Sequence, residues 1–329
     1  MEEKSNNFTL LDLVAKSDNT TAFLEGENRT IGVIDGDGFG YLIGYHFQHE
    51  YEMTEDLVKA VYQKVDDYIS NILNQARVDH YIGILEAEVN YDLTEEEAAK
   101  TSVNFRVKYA ETKPYKGKRP EKPVWYKIWG PIVQERLVTR WGFQRVPPNV
   151  EADDMVASLA GYIRGQKGVD VVIFGNDKDL HQIPCIYFDY RKNESWVITP
   201  QEANRKLYAQ ILEGDTTDNI PGLKGYGGKK AALVVNNEKF NEKSGYMYTL
   251  REFVNTLGED KGIRSFFENY MLIKLRPTLN CAYYTVHKFS PEETREEKAL
   301  RELLGWGGEE IKSEIPSEFK KGDTGLFSI

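Results

Sequence analysis

Two short apolar runs that end in acids constrain this chain more than any other feature. They are TIGVID (30–35) and VDVVIFG (169–175), the second followed by Asp177 and Asp179. Neither shows polar alternation, and each is rich in β-branched residues. Such runs read as strands buried on both faces, which is the habit of parallel sheets covered by helices. Their acids then fall at strand ends, where ligands of open α/β sheets sit.

The covering helices are legible too. TEDLVKAVYQKVDDYISNILNQAR (54–77) offers Thr54 as N-cap and spaces Leu57, Val61, Val65, Ile69 and Leu73 as one helical face. DHYIGILEAE (79–88) reads as a second strand, and WYKIWGPIVQERLVTRWG as helical after its internal Pro131. EADDMVASLAGYIRG (151–165) reads as a helix whose acids crowd its first turn, where the helix dipole favours them. CIYFDY and SWVITP suggest an edge hairpin, and from about 200 onward the pattern is helical around the Gly-rich GLKGYGG (222–228). Alternating strands and helices, then helices alone, imply a doubly covered sheet followed by a helical subdomain. Residues 1–28 carry no clear signal, and 89–127 read as a partly helical excursion from the sheet.

The chain has 329 residues, 40% hydrophobic, with 5 Trp, 20 Tyr and 15 Phe, enough for a real core. No run of apolar residues is long enough to span a bilayer, and the N-terminus lacks a signal-peptide pattern, so a cytoplasmic place is expected. Cys185 and Cys281 have no metal-binding spacing and are expected in the core; His46, His49, His80 and His181 are expected to be structural or on the surface. A net charge of −10 argues against nucleic acid as a partner, but its distribution points the other way. Between Asn104 and Lys127 lie Arg106, Lys108, Lys113, Lys116, Lys118, Arg119, Lys122 and Lys127, against only Glu111 and Glu121.

Asp35, Asp177 and Asp179 at strand ends, with Glu151, Asp153 and Asp154 at one helix start, would repel one another strongly unless cations neutralise them. Hard divalent cations with oxygen ligands are the natural solution, and a pair about 3.5–4 Å apart suits phosphodiester hydrolysis. DGDGFG (35–40) invites other readings. A dinucleotide fingerprint lacks its third Gly, and a calcium loop fails at Phe39 and His46. VIDGDG also resembles the strand end of haloacid-dehalogenase-like phosphatases, with Asp35 as nucleophile and Asp37 as acid; this stays open as the rival enzyme class. GLKGYGGKK (222–230) fails the Walker pattern, which leaves a helix–turn–helix whose second helix opens with two lysines and can hold a backbone phosphate.

GDTTDNIPGLKGYGGKKAA (214–232) resembles the helix–three-turn–helix signature of the flap endonuclease and 5′→3′ exonuclease superfamily, which includes bacteriophage 5′-nucleases and the 5′-nuclease domain of bacterial DNA polymerase I. EADDMVA (151–157), IFGNDKDLHQI (173–183), NFRVKYAETKPYKGKR (104–119) and VIDGDGFGY (33–41) are similar to four further motifs, in family order, with Lys118 where Asn is usual. The resemblance implies a PIN-like α/β nuclease core (29–205) with a central, mostly parallel sheet. A helical arch (89–127) would lie over the site, and a helical DNA-binding subdomain (206–290) would hold the helix–three-turn–helix at 214–235. Residues 1–28 would be an extension and 291–329 a tail. No polymerase follows, so a free-standing phage-type enzyme is the expectation.

Carried over position by position, Asp35, Glu151, Asp153 and Asp154 would hold or organise a first metal group, and Asp177, Asp179, Asp215 and Asp218 a second. Where the family usually ends its second strand in Asp, ILEAE offers Glu86 or Glu88, and Glu86 is taken. Lys116 and Arg119 would reach the scissile phosphate, with Arg106 a further arch candidate. Tyr115, Gly225, Gly227, Lys229 and Lys230 would join Lys116 and Arg119 in contacting nucleic acid. The implied cofactors are two Mg²⁺ or Mn²⁺ ions, with K⁺ on the Pro221–Gly227 carbonyls. The implied partners are DNA with 5′ ends, flaps or RNA–DNA junctions, recognised by shape and backbone and cut near 5′ ends in replication or primer removal. A catalytically decayed nucleic-acid-binding protein is the second alternative. The tail KKGDTGLFSI is similar to sliding-clamp-binding peptides, and a monomer is expected.

Overall fold

The computed structural model describes residues 29–78, 80–87, 104–165, 169–236, 240–276, 279, 281 and 284–289. The first apolar run is β1 (Arg29–Asp35). The bend after it, read from sequence as Gly-rich, winds into a helix, α1 (Asp37–Gly44), anchored by the buried Phe39 and Ile43. Next come α2 (Glu55–Ala76), capped by the Thr54 hydroxyl on the Leu57 N–H, and β2 (His80–Leu85). The chain continues through α3 (Phe105–Tyr109), α4 (Val124–Trp141), β3 (Gln144–Arg145), α5 (Ala152–Arg164) and β4 (Val169–Gly175). The edge hairpin is β5 (Cys185–Asp189) and β6 (Glu194–Ile198). Helices α6 (Pro200–Glu213), α7 (Gly228–Val235), α8 (Glu242–Leu257) and α9 (Glu259–Ile273) follow, and β7 (His287–Lys288) returns to the sheet.

The strands form one sheet in the order β3-β2-β1-β4-β5-β6, with β7 antiparallel on β2. Every other pairing is parallel except that of β5 with β6. Alternate residues of the two central strands feed two cores, which is why both runs read as unbroken apolar stretches. Ile31, Val33, Val171 and Ile173 pack under α5 with Val156, Leu159 and Ile163. Ile34, Val172 and Phe174 pack with Val61, Val65 and Ile69 of α2 and Trp129, Val133 and Leu137 of α4. A third core holds α6 to α9 together through Leu207, Ile211, Phe253 and Phe266.

Two expectations are corrected. Helix α4 starts at Val124 and runs through Pro131 rather than beginning after it. The ring costs one backbone bond to the Lys127 carbonyl, and the buried Tyr126, Trp129, Val133 and Leu137 on either side outweigh that loss. The second strand is shorter than 79–88; Asp79 and Glu88 lie outside the described residues. Of the excursion, residues 104–127 are described, and they hold only the short α3, a run of turns and the start of α4.

Candidate metal centre

Parallel register decides where the strand-end acids go. Asp35 lies level with Ile84, and Ile34 with Phe174. Glu86 and Asp177, each just past the end of its own strand, therefore emerge beside Asp35 at one edge of the sheet. Burial pushes the Asp35 carboxyl well above its usual range, and Asp37, Asp177 and Glu86 push it further. Burial, then Asp37, drives Glu86 up to about 8. Glu86 also accepts the Ala152 N–H at 3.2 Å, which ties the end of β2 to the start of α5.

That helix start carries the second acidic group. Ligand atoms of Glu151, Asp153 and Asp154 lie within 4.8 Å of one another. They are not equivalent. Asp154, 1% exposed, gives both oxygens to Arg106, each at 2.7 Å, and one also to the Arg276 N–H at 2.9 Å. By sequence it would hold or organise the first metal group; both its oxygens bond to Arg106, and it stays one of the three carboxylates here that could hold an ion. Asp153 is pushed well above its usual range by burial and by Glu151. Burial pushes Glu151 up as well, but Lys116 and Arg106 outweigh it and hold Glu151 at about 2.

Arg106 is also corrected. It is 1% exposed, and its five N–H groups go to the Leu272 carbonyl at 3.0 Å, Glu151, both Asp154 oxygens and the Lys274 carbonyl at 3.4 Å. None is left for a phosphate. A buried, fully bonded guanidinium is a scaffold for two carboxylates.

Lys116 and Arg119, expected to reach the scissile phosphate, lie against two of the acids. The Lys116 ammonium pairs with Glu151 at 2.5 Å, and the Arg119 guanidinium with Asp218 at 2.6 Å. Lys116 adopts φ 58°, and its N–H donates to the Asp218 carbonyl at 2.9 Å, so backbone as well as side chains binds this strap to the 215–220 turn. Asn219 adds a bond to the Pro114 carbonyl at 2.9 Å. Tyr115, expected to contact nucleic acid, is 6% exposed. Its hydroxyl lies 3.2 Å from Glu151 and 3.2 Å from Asp218, and its ring joins the core of the helical subdomain. It bridges carboxylates rather than bases.

The remaining acids come from the β4 end and the turn after α6. Asp179 is raised to about 6 by burial and then by Asp177. Asp215, 4% exposed, pairs with Lys178 at 2.7 Å, and its other oxygen accepts the Thr217 N–H at 2.8 Å. Burial pushes Asp215 up, but the Lys178 bond leads the contacts that bring it below its usual value. Asp153, Asp179 and Asp218 line one narrow cavity with Tyr115 and Gln210. The sequence reading missed Lys178, Gln210 and, as part of this site, Asp37. Asp37 accepts the Glu86 N–H at 3.0 Å, and its place two residues beyond Asp35 was signal enough. Lys178 lies within the IFGNDKDLHQI motif, which was a signal as well; Gln210 had none.

Away from the acids, Gly225 takes φ +87°, and open space surrounds a Cβ built at Gly225 or Gly227. Gly227 caps α7 with no side-chain bond, Lys229 and Lys230 are exposed, and the Lys230 ammonium sits 3.7 Å from the Tyr226 ring centre. A backbone phosphate can approach this helix start.

The acids fit divalent cations. All the donors are carboxylate oxygens, and the buried Asp35 and half-buried Asp153 are so crowded and desolvated that their charged forms are disfavoured without a cation. The model of the 5′-3′ exonuclease N-terminal resolvase-like domain matches residues 30–207, more than half of the chain. The chain belongs to this family. Membership sets aside the phosphatase reading of VIDGDG and agrees with the expected α/β fold. The 5′-3′ exonuclease of Aquifex aeolicus is 30% identical over 189 residues, 50% of this chain and 59% of that protein. DNA polymerase I of Deinococcus radiodurans is 36% identical over 108 residues, 30% of this chain and 11% of that protein. The chain thus spans less than two thirds of the length of either relative. Among solved structures, the bacteriophage T5 5′-exonuclease with bound zinc shares the fold at a TM-score of 0.54 and 17% identity, over 76% of this chain and 90% of that one. The bacteriophage T5 flap endonuclease in a complex with DNA and metal ions gives 0.51 at 17% identity, with the same coverage.

Proposed function

We propose that the chain is a structure-specific 5′-nuclease that hydrolyses phosphodiesters near 5′ ends or at flap junctions, with two Mg²⁺ or Mn²⁺ ions. The observation that carries this reading is the strap on the acids: Lys116 and Arg119 rest on Glu151 and Asp218, at the edge where Asp35, Glu86 and Asp177 emerge. Asp35, Glu86, Glu151 and Asp153 would hold one ion, and Asp177, Asp179, Asp215 and Asp218 the other. When bound, such ions polarise the phosphodiester and make water a better nucleophile. Arg106, Asp154 and Tyr115 keep the carboxylates in place. Lys116 and Arg119 exchange carboxylate for phosphate oxygens and stabilise the charge developing there. Lys229, Lys230 and the open amides of Gly225 and Gly227 grip a backbone phosphate without reading sequence, and Pro221–Gly227 carbonyls hold K⁺.

DNA with 5′ flaps or RNA–DNA junctions is the proposed substrate, in replication or primer removal, for a cytoplasmic monomer. The tip of the tail, outside the described residues, is proposed to bind a sliding clamp. Deleting residues 320–329 should then spare cleavage of bare oligonucleotides and remove stimulation by the clamp. The central experiment offers the protein, with Mg²⁺, a 5′-labelled flap, a blunt duplex and an RNA–DNA hybrid. Cleavage near the 5′ junction that EDTA and Asp153→Asn both abolish is expected. A protein that binds Mg²⁺ and flap yet cuts none of the three would be the decayed binding protein instead.

A further inference from the structure

One buried side chain joins two carboxylates that the chain brings in from different elements. Gln210, in the last turn of α6, is 3% exposed. Its amide nitrogen donates to Asp179 at 2.7 Å and to Asp215 at 3.3 Å. An amide offers this geometry only one way round, because its oxygen must then face elsewhere. That oxygen faces Gln182, whose amide nitrogen donates to it at 3.4 Å. Gln182 is itself fixed by main chain: it donates to the Ile273 carbonyl at 3.1 Å and accepts the Leu275 N–H at 3.3 Å. The end of α9 thus sets Gln182, Gln182 sets the Gln210 amide, and Gln210 sets two acids.

The choice of a neutral amide has a physical reason. Asp215 already pairs with Lys178, and a second Lys here would neutralise Asp179 as well and compete with a cation for their oxygens; a Glu would add a third repelling charge. Gln supplies two N–H groups and no net charge. It occupies one oxygen of Asp179 and leaves the other free to turn to the cleft. Partners of this kind, bonded to ligating groups but not to the ion, tune affinity by fixing the ligands' orientation.

We infer that Gln210 is the positioning residue of the second divalent-cation site, oriented by Gln182. This rests on the reading that Asp177, Asp179, Asp215 and Asp218 hold that ion. Mn²⁺ binding to the full chain, followed by calorimetry and electron paramagnetic resonance without nucleic acid, tests it together with melting in EDTA. Wild type should bind two Mn²⁺, and Gln210→Leu should weaken one site about tenfold while leaving the other unchanged. Gln182→Leu, which keeps the amide but frees it to flip, should weaken the same site by less. It also carries the test if Gln210→Leu does not fold. A lower melting temperature in EDTA with both Mn²⁺ affinities unchanged would make Gln210 a packing residue and overturn the inference. Failure of wild type to bind two Mn²⁺ would overturn the two-ion reading itself, and this inference with it.

Discussion

Lys116 sits in the left-handed region at φ 58°, a conformation that an L-residue holds only when its surroundings fix it. Here the Asp218 carbonyl and the Glu151 carboxylate do so. Lys116→Ala should therefore lower the cleavage rate about a hundredfold while changing flap affinity much less, because its contact with phosphate grows as charge develops. Single-turnover kinetics beside a binding titration separate the two effects; equal losses would make Lys116 a binding residue. Arg106 predicts the opposite profile. Arg106→Met would strand Asp154 as a buried, uncompensated charge and leave Glu151 with Lys116 alone, so stability should fall by about 3–5 kcal/mol, read from urea melts. An unchanged urea midpoint would contradict the scaffold role.

At the scale of elements, β2 is placed for chemistry by what packs against it. Gly83 lies under Phe143, and a Cβ there would run into the ring, which is 2% exposed and has little room to give. Gly83→Ala should push the strand end that carries Glu86 away from Asp35. The expected outcome is a lower melting temperature together with a higher Mg²⁺ concentration for half-maximal cleavage. A lower melting temperature with unchanged Mg²⁺ dependence would show that Glu86 is no ligand. The first turn of α5 makes the complementary point. The helix dipole favours Asp153 and Asp154 there, yet the two acids meet different fates because Arg106 reaches only one of them.

For the whole molecule, the acidic edge is a store of repulsion. Burial and neighbouring acids push Glu86 up to about 8 and Asp179 up to about 6, so between pH 4.5 and 8 these two groups bind more protons in the folded chain than in the unfolded one. Stability in EDTA should therefore fall as pH rises through this window and level off above it. Glu151, held at about 2, acts in the opposite direction only at pH below its ordinary value, whereas His46, His181 and His287, all lowered by burial, oppose the fall up to about pH 7, so it should be clearest between about pH 7 and 8. Melting temperature against pH, with and without Mg²⁺, checks this. Mg²⁺ should raise the melting temperature and most of all near pH 8, where the carboxylates are ionised. A metal-free stability that rises between about pH 7 and 8 would mean the acids are not crowded together.

The sequence by itself determined the strands, the long helices and the acids at the strand ends, because periodicity and caps are local and each motif is read within a few residues. It also singled out Lys116 and Arg119, through the resemblance of a spaced block, NFRVKYAETKPYKGKR. Tertiary structure alone decided which polar groups face the cleft and which hold it together. Arg106, Tyr115 and Asp154 belong to the same motifs as the reactive candidates, but they are buried by partners 36 to 168 residues away in the chain, at Glu151 and Lys274 among others. Gln210 carries no motif at all. It matters because α6 and the β4 end pack so that one amide meets two carboxylates, and long-range packing of this kind leaves no local trace.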